Sequence, residues 1–214
     1  MRVAVYGAGA VGGWLGASLI RTGVDVSLVA RREHARVIGD HGLTVDDDGD
    51  EYVVQPSLVS DDPSEIGPVD LVIVSVKAWQ VTSAATAVVP LLHDETIVLP
   101  IQNGVDAPAE LAEAIGPRRV LGGLAGVFAS IESPGRIRKG DAGSLVFGEL
   151  EGGESQRVRQ LYSLFEPTSV AAESSLDIRS AMWKKLVMIS SLSGIGSTTR
   201  VPVGIWRQVP EARV

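Results

Sequence analysis

The stretch Val3-Ala4-Val5-Tyr6-Gly7-Ala8-Gly9-Ala10-Val11-Gly12 decides the fold: an apolar run of strand character ends in a G-x-G-x-x-G turn that opens a helical pattern. Fed by a strand, each glycine has a mechanical task. Gly7 permits the tight turn, Gly9 lets the backbone approach a pyrophosphate, and Gly12 lets helix and strand pack closely. Residues 10–22 then place Val11, Leu15, Leu19 and Ile20 at apolar positions, and the free amides at the start of that helix face the anion. Gly7, Ala8, Gly9, Ala10, Val11 and Gly12 are therefore the expected cradle of a nucleotide cofactor.

Arg2 before a Gly/Ala-rich apolar stretch could also open a secretory leader, but the glycines at 7, 9, 12, 13 and 16 break the helix such a leader requires. The chain has no cysteine, which fits a reducing compartment, so a cytoplasmic location is expected. Its 214 residues are 45% hydrophobic and 21% charged, enough for one well-buried core and the start of a second. A net charge of −7 argues against a nucleic-acid surface, which needs clustered Lys and Arg. No apolar run reaches the ~18–20 residues of a membrane span, so neither nucleic acid nor membrane is an expected partner.

Outward from the turn, the pattern repeats strand then helix. Residues 25–29 alternate as a strand and end at Ala30-Arg31-Arg32, before a second helix. Residues 43–58 read as a hairpin around an acidic, solvated turn at 46–50. Residues 69–76 form a continuous β-branched run of the kind buried on both faces of a parallel sheet, followed by a helix over 78–89. A strand over 96–101 and a helix over 107–115 complete the series, which predicts a doubly wound α/β sheet. Beyond Arg119, residues 120–130, 135–139 and 144–147 are strand-like and are expected to extend that sheet with antiparallel strands. A helix over 155–165 and a short strand over 168–171 lead to a long helix from Ser175. The expected organisation is a dinucleotide domain over 1–172 and the start of an all-helical domain over 173–214.

An acidic residue about 20 positions after the glycines would accept ribose hydroxyls; that place holds Arg31 and Arg32, which favour the 2′-phosphate of NADPH (NADP). A polar pair opening a helix is the alternative, although helix starts prefer acidic side chains. Lys77, in Ser75-Val76-Lys77-Ala78-Trp79-Gln80, and Asn103, in Gln102-Asn103-Gly104, close the next two strands, where open α/β sheets bind ligands. Lys77 as a surface lysine and Asn103 as a turn residue remain alternatives.

The order GAGAVG, Ala30-Arg31, VKAWQ, QNGV and Trp183-Lys184-Lys185 resembles the ketopantoate reductase (2-dehydropantoate 2-reductase) family over nearly all of the chain. The resemblance implies an NADPH-binding Rossmann domain, a helical C-terminal domain, and reduction of a branched 2-keto acid to (R)-pantoate on the way to pantothenate and coenzyme A. It implies that Lys185 is the catalytic lysine, a general acid at the oxygen that gains charge on hydride delivery. By the same resemblance Asn103 lies between cofactor and substrate, Lys77 lies nearby, Arg31 meets the 2′-phosphate, and Ala129, on the stretch 122–129, contacts the cofactor.

Two departures from the family stand out. Ile189 and Ser193 occupy the places of two asparagines that hold substrate four and eight residues after the lysine, so the sequence resembles a divergent subgroup. Ser193 and Arg200 are then the candidate substrate contacts, Arg200 as a carboxylate anchor. The chain also stops short of the family's usual length, which predicts a truncated form with apolar surface over 182–205 and association with a second copy. A non-catalytic NADPH-binding or redox-sensing module is the competing function, and a flavoprotein a third, disfavoured by Arg31.

Overall fold

The computed structural model describes residues 1–212, except the side chains at positions 141, 142 and 212, so the last two residues of the expected second domain lie outside the described chain. In chain order it runs β1 (Arg2–Tyr6), α1 (Ala10–Ile20), β2 (Asp25–Val29), α2 (Arg32–His41), β3 (Leu43–Asp47), β4 (Asp50–Val54) and β5 (Leu58–Ser60). It continues with β6 (Leu71–Val74), α3 (Val81–Ala87), β7 (Ile97–Pro100), α4 (Ala107–Ile115), β8 (Gly122–Ser133) and β9 (Arg136–Gly148). It ends with α5 (Gln156–Phe165), β10 (Ala171–Ser174), α6 (Ile178–Thr199) and α7 (Val203–Trp206).

Five of these strands form a parallel sheet in the order β5-β2-β1-β6-β7. Their apolar runs are buried because helices cover both faces; every residue of β6 and β7 is inaccessible or nearly so. The chain turns to one side of β1 for β2 and to the other for β6, so the crevice between the carboxyl ends of β1 and β6 is the topological switch point.

The strands after residue 120 do not widen this sheet as expected. They form a second one, ordered β10-β9-β3-β4, with β8 paired antiparallel to β9. β8 leaves the first sheet at its edge, where Val120 bridges Val98 and the Leu121 amide donates to the Val98 carbonyl at 3.0 Å. Gly123 allows that crossing: a Cβ there would lie 2.6 Å from the Leu99 side chain and 2.7 Å from the Pro100 carbonyl. The two short segments at 135–139 and 144–147 are one strand, β9, paired with the excursion hairpin through β3. The last strand falls at Ala171–Ser174 instead of 168–171, because Thr168 closes the preceding helix by donating to the Phe165 carbonyl at 2.6 Å and accepting from the Val170 amide.

Wedged between the two sheets, α1 is buried on all sides from Gly12 to Leu19. A Cβ on Gly16 would touch Leu28, Val5 and Val26 of the first sheet, and one on Gly13 would meet Ile137 and Leu43 of the second. Small residues in this helix thus set the spacing of both layers. By contrast α6 buries only Ile178 and Met182, against Leu124 of β8, and leaves Trp183, Val187 and Met188 exposed.

Candidate active site

The glycine turn sits at the switch point. Gly7 has φ +97°, and a Cβ there would lie 2.9 Å from the Val76 amide nitrogen, so only glycine fits. The amides of Gly7 and Ala8 both donate to the Val29 carbonyl, at 3.1 and 2.9 Å, tying the turn to the end of β2. A Cβ on Gly12 would stand 2.6 Å from the Gly7 carbonyl and 2.8 Å from Ser75 Cβ, the close helix-to-strand packing expected of the third glycine. Gly9 differs from both: a Cβ on it would meet nothing within 4 Å. That open space lies at the N-cap of α1, whose first turn has no side-chain cap and no acidic residue. Uncapped amides facing an opening suit an anion.

At the carboxyl end of β2, Arg31 is extended, with φ −127°, and caps α2; Arg32 follows with φ +56°. Both are exposed, and neither forms an ion pair among the described residues, whereas Glu33 is taken by Arg36 at 2.6 Å. Two unneutralised guanidinium groups at a helix N-terminus oppose its dipole, an arrangement that a bound phosphate would reverse.

The exits of β6 and β7 are held together by Gln102. Its buried Nε2 donates to the carbonyls of Val74 at 2.8 Å and Val76 at 3.1 Å, and its Oε1 is buried without a partner. Lys77 and Asn103 follow the carboxyl ends of these neighbouring strands, both exposed, with Asn103 preceding Gly104 at φ +114°. No periodicity or spacing distinguishes such a glutamine from one in any turn.

Lys185 reaches the same region from α6. Its Nζ donates to the Ala125 carbonyl on β8, and it has no carboxylate partner among the described residues. Half-burial pushes its ammonium below the ordinary lysine range, because the charged form loses solvent. Lys184 beside it is exposed. Four residues beyond Ala125, Ala129 is half-buried and follows a register shift that leaves Phe128 76% exposed. Ile189 and Ser193 continue the Lys185 face of α6, and Arg200 ends that helix with φ +57°. At 1.5 Å per residue, Ser193 lies roughly 12 Å and Arg200 roughly 22 Å along the axis from Lys185. The structure brings the glycine turn, Arg31, Lys77, Asn103 and the β8–Lys185 contact to one edge of the parallel sheet. Among the described residues there is no cluster suited to a metal ion, and no helix is long and apolar enough to cross a membrane.

A family profile described as "Ketopantoate reductase PanE/ApbA" matches residues 3–152. The chain is 32% identical over 220 residues to a 2-dehydropantoate 2-reductase of Mesorhizobium japonicum, covering 93% of this chain and 67% of that protein. It is 31% identical over 205 residues to the uncharacterized oxidoreductase YkpB of Bacillus subtilis, covering 95% of this chain and 67% of the relative. The crystal structure of 2-dehydropantoate 2-reductase from Geobacter metallireducens superimposes with a TM-score of 0.93 at 30% identity, over 100% of this chain and 70% of that one. The chain thus spans about two thirds of the length of these relatives.

Proposed function

The chain belongs to the PanE/ApbA ketopantoate reductase family, and from that premise we propose that it binds NADPH and reduces a 2-keto acid, 2-dehydropantoate foremost, with Lys185 as general acid. The observation that carries the reading is the Lys185 ammonium, half-buried and oriented by the Ala125 carbonyl beside the cofactor edge. When bound, NADPH supplies the hydride. The chain's own residues do the rest.

Gly7 to Gly12 and the first amides of α1 would hold the pyrophosphate, the open space at Gly9 leaving room for it. Arg31 would pair with the 2′-phosphate. Lys77, Asn103 and Ala129 would line the nicotinamide end, with Asn103 also meeting substrate. As the keto oxygen gains negative charge, the Lys185 ammonium stabilises it and passes one proton from Nζ to that oxygen. A carbonyl acceptor on one N–H leaves the other two free to point at substrate. Lowered basicity makes the ammonium a better proton donor, and the resulting neutral amine suits its half-buried site. Ser193 offers a hydroxyl to the substrate, and Ile189 an apolar contact suited to a branched carbon chain.

The test is keto-acid-dependent NADPH oxidation with Lys185→Ala. Turnover is expected to fall by at least ~100-fold while NADPH binding persists. In the wild type the rate falls as pH rises through the Lys185 pKa, at a pH below that of an ordinary lysine, because the acid must be protonated. Normal turnover by the variant refutes the role of Lys185. NADPH binding without reduction of any 2-keto acid by the wild type supports the alternative of a cofactor-binding module.

A further inference from the structure

One side chain joins the cofactor turn, the Arg31 helix and the second sheet, and none of the steps above uses it. His34 is half-buried on the first turn of α2. Its Nε2 lies 3.1 Å from the Ala8 carbonyl, and its Nδ1 lies 3.0 Å from the amide of Gly135, in the turn between β8 and β9. A backbone amide can only donate, so Nδ1 accepts and carries no proton. A carbonyl can only accept, so Nε2 carries it. The two contacts are thus satisfied together only by the neutral ring protonated on Nε2.

The Ala8 carbonyl is half of the peptide group whose other half is the Gly9 amide, and that amide donates to the Gly7 carbonyl at 2.7 Å. His34 on one side and Gly7 on the other therefore clamp the peptide plane leading into Gly9, the residue beside the open space. His34 also stands three residues after Arg31 on the same helix. We propose that His34, as its neutral Nε2–H tautomer, is a positioning residue for the cofactor, fixing the Gly9 peptide and its spacing from Arg31 by bracing both against the Gly135 turn. This inference rests on the NADPH reading above.

An imidazolium would turn Nδ1 into a donor facing the Gly135 N–H and break the brace. Burial already disfavours the charged ring, holding its pKa below the usual histidine value. The glycine turn presents no charged side chain to it. Beside the β8–β9 turn Glu132 and Arg136 pair with each other at 3.0 Å, and on α2 Glu33 pairs with Arg36, while Arg31 and Arg32 form no ion pair among the described residues.

The experiment is NADPH titration of the full chain by intrinsic tryptophan fluorescence, from pH 5 to 8, for the wild type, His34→Ala and His34→Gln, with apo melting curves alongside. Alanine is expected to weaken NADPH binding about tenfold at pH 8, the loss of roughly one well-placed hydrogen bond, while glutamine, whose amide can donate and accept at similar spacing, stays within about threefold of wild type. Wild-type affinity should fall more steeply with acid than that of His34→Gln, since acid titration of the 2′-phosphate is common to both. Binding by His34→Ala within twofold of wild type, whatever its melting temperature, overturns the proposal, as do identical pH profiles for wild type and His34→Gln. Should the alanine variant not fold, the pH comparison decides alone. Failure of the wild type to bind NADPH at any pH refutes the cofactor reading itself, a result distinct from either.

Discussion

Replacing Gly9 and Gly12 by alanine, one at a time, separates the cofactor's need for glycine from the fold's. At Gly12 the new Cβ would fall 2.6 Å from the Gly7 carbonyl and 2.8 Å from Ser75 Cβ, contacts with parts of the chain that cannot swing aside. Overpacking of that kind costs about 1–3 kcal/mol, of which the better helix propensity of alanine returns up to ~1 kcal/mol. At Gly9 the backbone is at φ −78° and ψ −160°, open to any residue, and the Cβ meets nothing. The reduced freedom of the unfolded chain gains ~0.4–1 kcal/mol there, and the poorer N-cap loses a similar amount, so stability should stay within about 1 kcal/mol of wild type. The bound pyrophosphate would occupy the space that the Gly9 Cβ takes. Pushing the phosphates off the α1 amides forfeits one or two charge-assisted hydrogen bonds, about 3 kcal/mol, or roughly a hundredfold in NADPH affinity. Urea denaturation and NADPH titration of the same two preparations measure both quantities. Binding of NADPH by Gly9→Ala within threefold of wild type, or easier unfolding of Gly9→Ala than of Gly12→Ala, refutes this division of roles between the two glycines.

Arg31→Ala should weaken NADPH binding about tenfold and leave NADH binding nearly unchanged, because only NADPH carries the 2′-phosphate; equal losses for both nucleotides would place Arg31 elsewhere. Lys139 and Asp47 pair at 2.5 Å with only 12% of each side chain exposed, so Lys139→Met, which strands the Asp47 carboxylate, should cost about 3 kcal/mol in urea denaturation. Adding Asp47→Asn should recover most of that loss, and a double variant no more stable than the single one would show that the pair is not what the first substitution broke.

Much of the first layer was legible because local patterns and tertiary structure agree there. The continuous apolar runs of β1, β6 and β7 are buried, and the helix expected over 107–115 is α4 to the residue. The second sheet was not legible, since strand pairing is decided by residues far apart in sequence. Nothing in residues 43–58 says that β3 will lie beside β9, where Val45 pairs with Ile137. The hairpin expected there forms as β3 and β4 around an exposed turn, but its inner face is also core: Leu43 and Val45 are fully buried, and a Cβ on Gly13 of α1 would come within 3.4 Å of Leu43. Gln102 and His34 were illegible for the same reason: each acts through carbonyls and amides of distant turns, 26 to 101 residues away, and leaves no mark on its neighbours.

Lys184 and Lys185 show where sequence reading stops and physical structure begins. As neighbours on one helix they are chemically interchangeable, and two solvated lysines would serve an amphipathic helix equally well. A step of one residue turns the helix by about 100°. That rotation sends Lys184 to solvent and Lys185 across to the Ala125 carbonyl, where lost hydration lowers its proton affinity. The Ala125 carbonyl in turn occupies that position because β8 peels away from the parallel sheet over Gly122 and Gly123, whose absent side chains admit Ile178 of α6 and the end of β7. The position of Lys185 is thus set by a glycine crossing some sixty residues earlier. Widening that crossing with Gly123→Ala would move β8 and the Lys185 acceptor together, with no change in either lysine.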